Sequence, residues 1–512
     1  FLCIQLPILA LILMISYSCK PTDSFDTSSG VMLGFSVDTL RFDTVFTELG
    51  SATRILKVYN QGKKDIQINK ISIKNETSNF YKINVDGIPG NVATDIEIAG
   101  NDSLYIFAEV TIDPNQPLSN SPFVIEDYLV FEINGNIQEI LLESWGQNAN
   151  YFPDRFSNGG TTFPDCSSLP GGNLVLDDPK PYVFYGTVVF TNCNVTMPAG
   201  TRVHVHGGIV PSFDANNMRF FYNDGRIIFA GNSTLNIEGS QDNPVIISGD
   251  RLEESFDEVA GQWWGIYLTG ETSNHSINHL ELKNSIVGVV VDSAVDLTIE
   301  NSKIYNTANA GLIGIHASVD ATNCLFYNNG SNAVRFLYGG DYNFTYCTLA
   351  SYGVDAPALS MTNLLCGSDD PLGCSPCFEY RLNALFKNSI IFGSRRDEIS
   401  MVNGDACVEG LSSPMNYKFE DCIVRVDELL EQEGFEDFFT STSPLRCNPC
   451  QNADNNDAIF EDPNEDVYYL DTLSIAEMKA VPISSPIPIF EDLDGNLRDG
   501  SLPDLGCYEY QY

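Results

Sequence analysis

Basic residues are scarce in this chain. Only 27 Lys and Arg stand against 68 Asp and Glu, and 5 His add little, so the formal net charge is −41 at pH 7. A surface this negative repels phosphate backbones and anionic headgroups, which excludes nucleic acid as a partner and any polybasic attachment to lipid. Its plain consequence is solubility and self-repulsion at a crowded cell surface, a reading that outweighs a dedicated cation store. Long apolar runs are also few: after residues 1–18, no second stretch approaches the ~20 residues that a membrane-spanning helix needs. A convergent acid–base set is missing as well, since no predicted face brings together a base, an acid and a carboxylate cluster.

What the chain does carry is a repeat. A small Ser or Cys followed two residues later by an apolar residue occurs at Ser302/Ile304, Cys324/Phe326, Cys347/Leu349 and Cys422/Val424, and Ser285/Val287 and Ser389/Ile391 extend the set. Ser302, Cys324 and Cys347 lie 22 and 23 residues apart, with one shorter coil expected from Ser285 to Ser302. That period belongs to solenoids, in which each repeat buries its apolar face only against its neighbours. Residues two apart share one side of a strand, so each pair faces a common interior. Leu280 with Leu282, and Leu297 with Ile299, supply a preceding inward pair. Asn284, Asn301, Asn323 and Asn388 fall at corners, where a left-handed bend and a side chain able to bond the next coil suit Asn. The arrangement resembles a right-handed parallel β-helix.

Two longer stretches carry the same resemblance. Residues 233–248, followed by Gln262-Trp263-Trp264-Gly265-Ile266, resemble a recurring coil of secreted β-helix proteins, with an Asn243-Pro244 corner and a Trp-Gly-Ile strand. Residues 457–463, 468–470, 492–498 and 503–509 resemble the C-terminal end of that pectin-lyase-like family, which usually has Ala where Cys507 stands. The resemblance implies a β-helix over residues 171–425 and degenerate coils with a cap over 426–512. It implies a fold rather than an activity, because one such scaffold hosts lyases, hydrolases, adhesins and proteins without chemistry. Ahead of it, residues 31–151 alternate in strand-like segments at 53–59, 66–73, 103–112, 128–133 and 138–142, punctuated by turns such as Asn134-Gly135. These resemble the Ig-like antiparallel β-sandwiches of bacterial surface proteins, a spacer or docking module expected to cover the first end of the helix. The fold class is therefore all-β, an Ig-like sandwich followed by a right-handed parallel β-helix.

Residues 1–18 resemble a bacterial lipoprotein signal peptide of the relaxed Bacteroidetes type, with Ser16 where Leu is usual. The resemblance makes Cys19 the lipidated residue and 19–30 a linker, with the start of the sequence clipped before its initiator Met. It implies a membrane partner through the lipid anchor and an outer-membrane location, at the cell surface or the periplasmic face. Asp23 and Asp26, just after Cys19, lean towards surface export.

Each candidate site is weighed against a structural reading. Arg335 is the best single proton abstractor, and the commoner reading is an exposed strand Arg paired with a neighbouring acid. Glu253, Glu254, Asp257 and Glu258 form an acidic run, read first as a solvated loop. Asp492 and Asp494 before Gly495 resemble the start of a Ca²⁺ loop without its later ligands, so Ca²⁺ is the one cofactor left open. His204 and His206 alternate on a strand and share one face, with no third metal ligand in view. Trp263 and Trp264 point to opposite faces of one strand, one to the core and the other outward, and the outward Trp with nearby Tyr267 offers a sugar-stacking surface. Cys324, Cys347 and Cys422 read as buried thiols. Cys366, Cys374, Cys377, Cys407, Cys447 and Cys450 lie in irregular inserts; their CxxC pairs have zinc-site spacing, but export favours disulfides, with Cys166 and Cys193 as a further pair. The function expected is non-catalytic binding of a glycan or another envelope protein on the β-helix. A polysaccharide lyase or hydrolase, and an accessory subunit of an outer-membrane complex, are the alternatives.

Overall fold

The computed structural model of the chain describes residues 25–46, 53–75, 80–111, 123–154, 160–213, 218–270, 274–366, 377–403, 415–432, 435, 438–439, 446–484 and 488–511. The signal segment, Cys19, Cys374 and Cys407 lie outside the described residues. The chain divides into two compact units, residues 1–148 and 149–512.

The first unit is a β-sandwich of two five-stranded sheets. One runs in the order Gly34–Phe35, Arg54–Tyr59, Ser103–Val110, Tyr81–Val85, Ile88–Gly90, and the other Thr39–Phe46, Asn136–Gln147, Phe123–Ile133, Ile66–Ile73, Val92–Ile98. Every pairing is antiparallel except that of Asn136–Gln147 with Thr39–Phe46. Strict alternation puts Leu56, Val58, Ile66, Ile68, Leu104 and Ile106 between the sheets, all within the buried core. The long hairpin turns at Asn134-Gly135, both at positive φ (50° and 86°), the geometry for which Asn-Gly is favoured.

The second unit is a parallel β-helix, and it begins earlier than residue 171, because Asn150–Phe152 already pairs in parallel with Tyr182–Tyr185. Each coil contributes strands to three faces. On the first face, Tyr182, Val203, Ile247, Leu282, Ile304, Phe326, Leu349, Ile391 and Val424 stack in register. On the second, Val188, Ile227, Ile266, Val289, Leu312, Val334, Leu359 and Ile399 do the same. The third carries Leu235, Leu297, Val319, Tyr342 and Ala384 inward. Aromatic rings continue from coil to coil, with Phe344 to Phe386 at 5.2 Å and Phe386 to Phe419 at 5.0 Å between centroids. Each fully buried ring adds about 1.5–3 kcal/mol over an exposed one.

This register corrects one part of the repeat. Leu282 pairs with Ile304, so Leu280/Leu282 is the counterpart of Ser302/Ile304, while Ser285 bridges to Trp263 at the next corner. The 22-residue spacing thus extends back from Ile304 to Leu282, and no short coil exists there. Asn284 likewise belongs with Asn306 and Asn328 at the first-to-second-face corner, whereas Asn301, Asn323 and Asn388 line the third-to-first corner; all six have φ between 48° and 65°. Both rows are amide ladders: Asn306 donates to Asn284 at 2.9 Å and Asn323 to Asn301 at 3.1 Å. The small residue after each bend turns back onto the corner. Ser302 Oγ donates to Glu300 O at 2.6 Å and Cys422 Sγ to Glu420 O at 3.2 Å, which is why Ser and Cys recur there.

The region 426–512 does not act as a single end cap. Val426, Leu429 and Phe438 join the core end, Phe438 lying 5.8 Å from Phe419. From Ala453 the chain instead runs back along the outside of the first face, where outward Leu325, Ala350, Ile390 and Ile423 pack with Ile459, Leu470, Leu493, Leu505 and Tyr508. Apolar outward positions on that face require a cover, and this segment supplies it.

Candidate functional site

With the later coils of the first face covered, chemistry there must be sought on the outward sides of the other two. The third face is largely polar in its later coils. Register aligns Ser318, Asp341, Asn383 and Asn416 in one outward row, and Asp320, Asn343, Leu385 and Lys418 in the next. Parallel strands lie about 4.8 Å apart, so each row repeats a polar group at that step. Asn383 Nδ2 donates to Asp341 Oδ1 at 2.5 Å, Asn416 Nδ2 to Asn383 Oδ1 at 2.8 Å and Asn343 Nδ2 to Asp320 Oδ1 at 2.7 Å. Arg381 reaches Asp341 at 3.3 Å. A groove of about 370 Å³ runs over Asp341, Asn343, Asn383, Asn416, Tyr417 and Arg446, with the Arg446 guanidinium 5.4 Å from the Tyr417 ring. Asp341 and Asp320 act here as hydrogen-bond acceptors, so the rows suit hydroxyl recognition better than proton donation.

The residues singled out in the sequence are dispersed. His204 and His206 do share an outer face, but they serve different ends. His204 contacts Gly249 O and Ser248 Oγ, each at 3.2 Å, and burial pushes its pKa down to about 4. His206 Nδ1 lies 2.6 Å from Asp250, whose hydrogen bond raises the imidazole above its ordinary value. Among the described residues no group of three metal-ligating side chains forms. Asp492 is 2% exposed, and its carboxylate accepts from the backbone N–H groups of Asp494, Asn496 and Glu509. Asp494 meets Tyr469 and Lys303, so this pair stabilises a turn. Two acids of the run are tied down: Arg251 holds Glu253 at 3.0 Å and Lys283 bonds Asp257. Trp263 is fully buried and donates to Lys283 O at 3.0 Å, while Trp264 faces outward 6.1 Å from Tyr267. Asp292 engages the Tyr267 hydroxyl at 2.7 Å; burial and that bond raise the phenol to about 12.

Arg335 is placed as expected on an outward strand position but, among the described residues, is not paired with an acid; its Nε is buried without a hydrogen-bond partner. Cysteines sort cleanly. Cys166 bonds Cys193, Cys447 bonds Cys450 across three residues, and Cys366 and Cys377 are disulfide-bonded. Cys324, Cys347, Cys422 and Cys507 are buried free thiols, and burial raises Cys422 and Cys507 to about 12. Asp341, Asn383 and Asn416 escaped the sequence reading. Their only signal was alternation with the inward Tyr342, Ala384 and Tyr417, which tells that they point out but not that they align.

No family model and no curated protein matches the chain. Among solved structures it is similar to the periplasmic alginate epimerase, at 8% identity over 55% of this chain and 78% of that one with a TM-score of 0.21. It is also similar to the catalytic unit of a thermostable GH87 alpha-1,3-glucanase from Streptomyces thermodiastaticus strain HF3-3, at 11% identity over 72% and 74% with a TM-score of 0.25. A family 123 glycoside hydrolase from Clostridium perfringens matches at 11% identity over 23% of this chain, which spans 30% of that enzyme's length, with a TM-score of 0.18. At these scores the function has to be argued from the site itself.

Proposed function

We propose that this is an exported, lipid-anchored envelope protein whose β-helix binds a glycan along its third face without altering it. The observation that carries the reading is the Asp341–Asn383–Asn416 row, three linked polar groups repeated at strand spacing beneath an open groove. A glycan is itself a repeat of hydroxyl donors and acceptors, and a rigid row pays little ordering entropy to meet it. The reading calls for no cofactor. Cys19 supplies the anchor, and Cys19→Ala should release the protein from the membrane fraction; continued retention there removes the anchor from the proposal.

The direct test is calorimetric titration of a soluble form beginning at Ser24 against a panel of polysaccharides, each also sized for cleavage. Saturable binding without shortening, lost in Asp341→Ala/Asn383→Ala, is the expected result. Shortened chains would move the protein to the lyase or hydrolase class. A protein partner in the envelope is the second reading, favoured by Ile55, Tyr105 and Phe107, which are 53%, 46% and 38% exposed on one face of the sandwich. Absence of binding to every glycan, with co-purification of one outer-membrane protein, would select it.

A further inference from the structure

Where the C-terminal segment crosses the third-to-first corner, a groove of about 370 Å³ opens between Ile489, Phe490 and Glu491 on one side and Gln241, His279 and Glu300 on the other. Phe490 is 67% exposed, and Leu497, bridged to Glu491 from the opposite arm of one hairpin, is 75% exposed. Directly opposed residues of an antiparallel pair hold their side chains about 5 Å apart, so Leu497 stands beside Glu491 at the groove. Neither apolar side chain contributes to the core. Exposed apolar groups gathered at a concave site with a polar rim mark a surface that another molecule covers.

Both walls are held through their main chains. Asn323 Nδ2 and Arg498 Nε donate to Glu491 O at 2.9 and 3.3 Å, and His279 N and Ser302 Oγ donate to Glu300 O at 3.2 and 2.6 Å. These bonds leave the carboxylates out: among the described residues, neither the Glu300 nor the Glu491 carboxylate has a hydrogen-bond or ionic partner. No Lys or Arg lines the groove. His279 is the one side chain there able to turn cationic, and burial lowers its pKa below the ordinary value in spite of nearby Glu491. The surroundings have the same sign. Residues 453–511 hold 14 Asp and Glu against two basic residues, Lys479 and Arg498, and Arg498 is buried against Glu509.

We propose that this groove docks a basic, apolar segment of another protein, with Lys or Arg side chains meeting Glu300 and Glu491 and apolar side chains resting on Phe490 and Leu497. Charge complementarity selects that occupant. A second copy carries the same net charge of −41 and the same acidic segment, and an anionic lipid surface is repelled for the same reason. A bare metal ion would leave the two apolar side chains in water, and no group of three metal-ligating side chains forms among the described residues. Exposed ion pairs contribute little alone, so the contact needs both parts. The charges set orientation and encounter rate, and the apolar contact holds the segment in place. The inference does not rest on the glycan reading, because Asp341, Asn383 and Asn416 lie outside this groove.

Fluorescence anisotropy of a labelled short peptide alternating Lys and Leu, titrated with the protein, tests the groove; peptides alternating Lys with Ser and Glu with Leu are the comparisons. Saturable binding of the Lys–Leu peptide is expected, at least tenfold weaker for Lys–Ser and absent for Glu–Leu. Glu300→Gln/Glu491→Gln and Phe490→Ser/Leu497→Ser should each weaken it at least tenfold with an unchanged melting curve. Glu461→Gln/Glu465→Gln removes two acids of the same segment that do not line the groove, and it should leave the affinity within twofold. Asp341→Ala/Asn383→Ala should do the same, which separates this site from the glycan surface. Absence of saturable Lys–Leu binding, or wild-type affinity in both groove variants, would overturn the proposal. Equal binding of Lys–Leu and Lys–Ser, or an equal loss in the Glu461/Glu465 variant, would overturn it too, because the general acidic field would then account for the binding.

Discussion

The guanidinium of Arg498 lies 3.9 Å over the ring of Tyr346, joining the C-terminal segment to the side of the β-helix. The same group donates to Asn323 Oδ1 at 3.0 Å and Gly506 O at 3.0 Å, and it faces Glu509 at 3.5 Å with only 2% and 8% of the two side chains exposed. Burial raises the Glu509 pKa even so. Removing the arginine leaves that buried carboxylate without its counter-charge, held only by the N–H groups of Asp499 and Asp504, and takes the donor from the Gly506 carbonyl, a loss of about 3–5 kcal/mol for a broken buried pair. Arg498→Ala should therefore free residues 453–511 for proteolysis at temperatures where the coils stay protected. A digestion pattern and melting temperature equal to the wild type would show that the apolar contacts alone hold the segment.

Gly265 explains the Trp-Trp-Gly-Ile motif. Its φ is +133°, and a Cβ built there meets the Val287 carbonyl oxygen at 1.9 Å. Rigid neighbouring backbone cannot give way, so Gly265→Ala should lose on the order of 3 kcal/mol or more in urea denaturation. Gly353, also at positive φ (+71°) but with nothing within 4 Å of the added atom, is the control; Gly353→Ala should lose only about 1 kcal/mol. Equal losses would mean that the strain, and not the contact, explains the motif.

The inward half of the solenoid was legible because its chemistry is local. A left-handed Asn and a Ser or Cys that bonds a carbonyl two residues back are visible in one dimension, as at Asn301-Ser302 and Asn323-Cys324. Asn284-Ser285 has the same local form and misleads for that reason: it bends a different corner, and only pairing of Leu282 with Ile304 reveals it. Outward residues are harder. Asp341 and Asn383 are separated by the insert between Leu364–Cys366 and Cys377–Glu379, so their adjacency depends on where that insert leaves and rejoins the coil. The missing acid beside Arg335 was equally invisible, since a chain so rich in Asp and Glu makes a neighbouring carboxylate the default expectation.

Two buried groups should tilt stability with pH in opposite directions. Burial raises Glu398 from 4.5 to about 7, so the folded protein keeps a proton that the unfolded chain loses above 4.5. Its contribution is most favourable below pH 4.5, declines as pH rises to about 7, and is about 3 kcal/mol worse beyond that. His275 faces the core, accepts from Leu235 N at 3.0 Å, and is pushed by burial from 6.5 to about 4. The unfolded chain then binds the extra proton, so stability is full above 6.5 and falls by a similar amount as pH drops to about 4. Glu398→Gln should make the melting temperature fall more steeply on acidification between pH 7 and 5, and His275→Leu should make it fall less. Parallel profiles for either variant and the wild type would show that its side chain does not titrate in this window.

The Cys166–Cys193 bridge spans 27 residues at the first coils and belongs to the core that Phe184 and Phe190 continue. Closing a loop of that length removes chain entropy from the unfolded state equivalent to about 3.5 kcal/mol. Cys166→Ser/Cys193→Ser should lower stability by an amount of that order, with the loss concentrated in the early coils as seen by hydrogen exchange. Cys447–Cys450 closes only three residues, so opening it should change stability far less. The four buried thiols give the matching control: in the native state Cys324, Cys347, Cys422 and Cys507 should resist a thiolate-directed reagent until the protein unfolds. Rapid native-state labelling of these four, or no stability loss in the double Ser variant, would place the cysteines in a different pairing.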